Sequence, residues 1–212
     1  MDPSLVPFAD ELEAFDPVSL ALSGGSLLVS SDGQQSEIAV LDAETGAYQR
    51  CMDVDTGDGE PLRLDSTGCI CVHEGLLYIA DRHNQRVVVC RVSDGAHVRS
   101  IGKAGEASEL LQGPYGEPYF TVEDYFDERI GSAPGEFAEP VGVCVGHGKL
   151  YVSEARGRRI QVLTLEGNPL QVLPLSVDGL GRELGGLCVD DTRVWCLGPH
   201  ESNSCLHLFT VA

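Results

Sequence analysis

One pattern constrains this chain more than any other: a group of short apolar runs that returns four times with the same internal spacing. Ala21 lies seven residues before Leu28, and the same interval separates Cys71 from Tyr78, Cys144 from Tyr151 and Cys188 from Trp195. The second member of each pair sits in a compact run: Leu27-Leu28-Val29, Leu77-Tyr78-Ile79-Ala80-Asp81, Leu150-Tyr151-Val152-Ser153-Glu154 and Val194-Trp195-Cys196. A third run follows in the later units, as in Arg86-Val87-Val88-Val89 and Arg159-Ile160-Gln161-Val162-Leu163. The steps from unit to unit are 50, 73 and 44 residues, and the long one marks an insertion.

These runs are strands on physical grounds. They are short and rich in Val, Ile and Tyr, whose branched or aromatic side chains suit a pleated surface better than a helix. Turn signals such as Ser23-Gly24-Gly25 and His147-Gly148 interrupt them. One such unit cannot bury both of its faces, so units must stack. A period in the forties with several strands per unit is that of propeller blades. The expected fold is therefore all-β, a propeller-like array of four blades at about 17–50, 66–102, 140–175 and 184–211, with residues 103–139 inserted, all in one domain over 1–212.

The third unit carries Phe137-Ala138-Glu139-Pro140-Val141-Gly142-Val143, then Leu150 to Glu154, then Arg159-Ile160-Gln161-Val162-Leu163. This resembles an NHL repeat, whose pattern runs G-x-F-x-x-P-x-G-V-A-V, L-Y-V-A-D and N-x-R-I-Q-V-F. The second unit matches through Tyr78 to Asp81, Asn84 and Arg86. The first and fourth units are degenerate, with Ser31 and Gly198 where the second has Asp81. The resemblance implies a propeller, and the family's usual number of blades is six. Four blades mean either a smaller ring or part of a larger one. Ser4-Leu5-Val6-Pro7-Phe8 is a candidate outer strand for the fourth blade, with Pro7 tolerable at a sheet edge.

Net charge is −19, and residues 1–16, 50–65 and 103–139 together hold 15 of those charges. Such a field repels phosphate backbones, so nucleic acid is not an expected partner. Some NHL propellers bind RNA through a basic face. Here Arg156, Arg158 and Arg159 stand alone against the acid and read as turn and strand-edge arginines. No apolar run is long enough to span a membrane, and the acidic N-terminus lacks the pattern of a secretory signal. Of the eight cysteines, Cys71, Cys144 and Cys188 share one repeat position, which reads as a small buried hydrophobe. Reduced thiols and an intracellular, cytoplasmic setting are expected. Asp53 to Glu60 resembles a calcium loop, but Gly57 and Leu64 stand where ligands are needed, so it reads as a solvated turn. No catalytic motif, metal set or cofactor motif is evident, and His73 and His147 are not at equivalent positions.

The leading expectation is a non-enzymatic platform that binds a protein partner; the alternative is a metal-dependent propeller hydrolase or lyase with a site in the central channel. The insertion is the candidate contact. Residues 103–139 hold six of the chain's 13 aromatics, where even spreading would place about two. Thr121-Val122-Glu123-Asp124 suits a helix start, after which Val122, Phe126 and Ile130 share a face. Arg129-Ile130-Gly131 equally echoes the strand end Arg99-Ser100-Ile101-Gly102. Tyr119, Phe120, Val122, Tyr125, Phe126 and Ile130 are the expected partner-binding residues, with the neighbouring acids facing a basic rim, while Tyr115 and Phe137 are expected to dock on the propeller itself.

Overall fold

A computed structural model describes residues 15–32, 37–55, 62–102, 133–174, 185–190, 193–200 and 203–210. The described secondary structure is entirely β-strand. The first sheet runs β1 (Pro17–Ser23), β2 (Ser26–Ser31), β3 (Ile38–Asp42) and β4 (Tyr48–Met52). The second is β5 (Thr67–His73), β6 (Leu76–Asp81), β7 (Arg86–Arg91) and β8 (His97–Ile101). The third is β9 (Pro140–Gly146), β10 (Lys149–Glu154), β11 (Arg159–Thr164) and β12 (Pro169–Pro174). The fourth holds β13 (Leu187–Val189), β14 (Arg193–His200) and β15 (Asn203–Thr210). Every sheet is an antiparallel meander in sequence order.

Hairpin turns set this register. Gly24, Gly75 and Gly148 all have positive φ, and Glu74 and His147 adopt it despite carrying side chains. Two-residue turns of this hand match the strand twist; Glu74-Gly75 and His147-Gly148 have positive φ at both central residues, and the first hairpin has it at Gly24 but not Gly25. The inner strands of the first three blades are irregular near their starts, at Pro17/Ser19, Thr67/Ile70 and opposite Ser153/Glu154. The repeat is thus copied in its defects as well as in its ladders.

Stacking of the sheets makes the core. β1 lies against β5, β5 against β9 and β9 against β13, so the innermost strands follow one another in order. Alternation along each strand then assigns side chains to faces. Leu28, Ile38 and Val40 of the first blade pack on Ile70, Leu77, Ile79 and Val88 of the second. Tyr78, Ala80, Val87 and Val89 turn the other way, onto Val143, Leu150, Val152 and Leu163 of the third. Tyr151, Ile160 and Val162 meet Val194 and Cys196 of the fourth. Burial of each large apolar side chain contributes about 1.5–3 kcal/mol, which makes these three seams the main source of stability. Ser30 Oγ donates to the Gly68 carbonyl at 3.0 Å, and Ser153 Oγ donates to the Gly185 carbonyl at 2.9 Å. The two serines share a repeat position and each stitches its blade to the next.

The aromatic positions sit where the repeat requires: Tyr78, Tyr151 and Trp195 occupy β6, β10 and β14, paired with Cys71, Cys144 and Cys188 one strand earlier. The expectation that all three cysteines are buried needs correction. Cys144 is buried and Cys71 half-buried, but Cys188 is exposed. Among the described residues no further blade packs against the side of the fourth blade that carries it. Phe137 is fully buried in the seam between the second and third blades. Tyr115, the candidate strand Ser4 to Phe8, and residues 56–61 of the acidic stretch lie outside the described residues.

Candidate functional site

The rim where each second strand turns into the third carries the strongest concentration of ionisable side chains in precise geometry. Its foundation is one repeat position filled three ways. Ser31 Oγ accepts from the Asp16 N–H at 2.9 Å, Asp81 Oδ1 from the Asp65 N–H at 2.8 Å, and Glu154 Oε2 from the Ala138 N–H at 2.8 Å. Each ties the end of a second strand to the segment that leads into the innermost strand of its own blade. The two carboxylates are fully buried and gather further donors. Asp81 accepts from Asn84 Nδ2 at 3.0 Å and Arg86 Nε at 2.7 Å. Glu154 accepts from Arg159 Nε at 2.9 Å and Gln161 Nε2 at 2.6 Å. Burial pushes the Glu154 carboxyl above its ordinary range, and the bonds from Arg159, Gln161 and Ala138 oppose that shift. A buried charge persists only when paired in this way.

The backbone is shaped to match. Ser66 and Glu139, one repeat apart, have φ of 56° and 59°, and Gln85 and Arg158 have φ of 54° and 45°. Non-glycine residues in this left-handed region cost about 1–2 kcal/mol each. Their recurrence at paired positions places the strain in the rim of both blades.

On this base an ion-pair chain crosses three blades. Arg82 Nη1 stands 3.6 Å from Asp32 of the first blade, and Arg82 Nη2 is 2.6 Å from Glu139 at the threshold of the third. Glu139 is buried and its other oxygen meets Arg156 Nε at 3.0 Å. The Glu139 N–H donates to the Gln85 side-chain carbonyl, which closes the link from the other side. Arg82 Nε is buried and has no hydrogen-bond partner among the described residues. Asp65 and His83 flank the chain, 3.2 Å apart.

Two of the three arginines singled out in the sequence have a structural post. Arg156 pairs with Glu139, Arg159 with Glu154, and Arg158 sits exposed in the turn. His73 ends β5, and His147 lies in a hairpin turn with its Nε2 2.8 Å from the Asp190 carbonyl. Among the described residues no group of three or more His, Cys, Asp or Glu is arranged to hold a metal ion. Among the same residues no helix is long and apolar enough to cross a membrane. Tyr119, Phe120, Val122, Tyr125, Phe126 and Ile130, the residues expected to bind a partner, lie outside the described residues. Asp32, Arg82 and Glu139 were not marked by sequence reasoning. A signal for two of them exists: Asp32 and Arg82 are 50 residues apart at the same repeat position and carry opposite charges.

Four antiparallel sheets stacked by their innermost strands and stitched at one rim define a β-propeller-like repeat protein. No protein-family model matches the chain, and neither does any curated protein. Solved structures do resemble it. Hydrazine synthase of Kuenenia stuttgartiensis superposes with a TM-score of 0.60 at 11% identity, over 99% of this chain and 49% of that one. A streptogramin B lyase gives 0.56 at 14% identity, over 95% and 56%. The computationally designed Ika4 protein gives 0.52 at 14% identity, over 95% of both chains. The chain therefore spans about half the length of the two natural proteins, and at these identities the likeness concerns the fold.

Proposed function

We propose that the chain is a non-enzymatic interaction module of NHL type, a rigid acidic platform that binds a protein partner with a basic surface. The observation that supports this reading best is the rim. Its arginines and carboxylates are engaged with one another, Arg82 with Asp32 and Glu139, Arg156 with Glu139, Arg86 with Asp81 and Arg159 with Glu154. Groups paired in this way hold three blades in fixed relation and form a firm base for loops. A net charge of −19 favours basic partners through long-range attraction that salt weakens. Asp81, Asn84, Arg86, Glu154 and Arg159 lie at the positions through which the sequence resembles NHL repeats, and their mutual bonds agree with a shared architecture. Within the insertion, Tyr119, Phe120, Val122, Tyr125, Phe126 and Ile130 are the proposed contact.

The test is capture of partners from native lysate by the immobilised chain, alongside the Phe126→Ala variant and metal analysis of the purified protein. The reading expects basic proteins retained at low salt, released as salt rises, and lost with Phe126→Ala. A stoichiometric metal in a chain that retains no protein would favour the metal-dependent hydrolase or lyase instead.

A further inference from the structure

We draw no further inference here: the strongest candidate, the cluster of thiols that Cys69, Cys71, Cys144 and Cys196 form in the seams joining the second, third and fourth blades, carries nothing, because burial pushes all four thiols up, away from the reactive thiolate, and no three of the His, Cys, Asp or Glu among the described residues are arranged to hold a metal ion.

Discussion

Glu154 and the buried cysteines show how much a side chain's chemistry depends on its repeat position. Burial raises the Glu154 carboxyl above the ordinary value of 4.5, so the folded chain holds this proton more tightly than the unfolded chain. The sign follows from linkage: the stability Glu154 contributes is fullest below its unfolded pKa and falls as pH rises through its higher folded pKa. Comparing melting temperatures of the wild type and Glu154→Gln from pH 4 to 7 should show the wild type losing ground as pH rises above about 4.5. A difference that does not vary with pH would refute this. Desolvation likewise raises the thiols, Cys90 and Cys196 to about 12 and Cys144 in the same direction. Since the thiolate is the reactive form, these three should resist alkylation until the chain unfolds, while exposed Cys188 reacts in the native state. Mass mapping after brief labelling checks the order. Truncating Tyr151, fully buried in the seam to the fourth blade, should cost about 3–5 kcal/mol by denaturant unfolding.

At the scale of elements, turns and short connections decide how strands meet. Gly102 follows β8 with φ of 95°, and a Cβ there would lie 2.5 Å from the Phe137 ring. Gly102→Ala should therefore combine backbone strain with overpacking and cost about 2–4 kcal/mol. Gly25→Ala in the first hairpin meets open space at ordinary φ and should be near neutral. Equal melting temperatures for the two variants would show that the Phe137 dock does not hold the segment. Much of this level was legible in the sequence. Period-two runs and Gly turns located β6, β7, β10 and β11, because strand alternation and turn conformation are local properties. The rim was not legible. Asp32, Arg82 and Glu139 come from three blades separated by 50 and 57 residues, and no local pattern brings them together.

Across the whole molecule, stability should follow how many faces each blade has covered. Among the described residues, the second and third blades pack against another blade on both sides, and the first and fourth against another blade on one. In an array whose units contact mainly their neighbours, the ends open first. Amide exchange should be slowest in β6, β7, β10 and β11 and faster in β1 and β14. Uniform protection would mean that the array unfolds as one unit. The sequence by itself determined the number of repeats, the strand hairpins and the all-β class, since each is written in the spacing of apolar residues and glycines along the chain. It also marked Ala21, Cys71 and Cys144 as equivalent, and with them their neighbours Leu20, Ile70 and Val143. Only the tertiary structure decided that Ile70 and Val143 are buried and Leu20 is not, that Cys188 is exposed, and that Arg82 bridges two carboxylates of other blades. The reason is physical: alternation specifies which way a side chain points, but burial and pairing depend on what stands opposite, and that is set by contacts between distant parts of the chain.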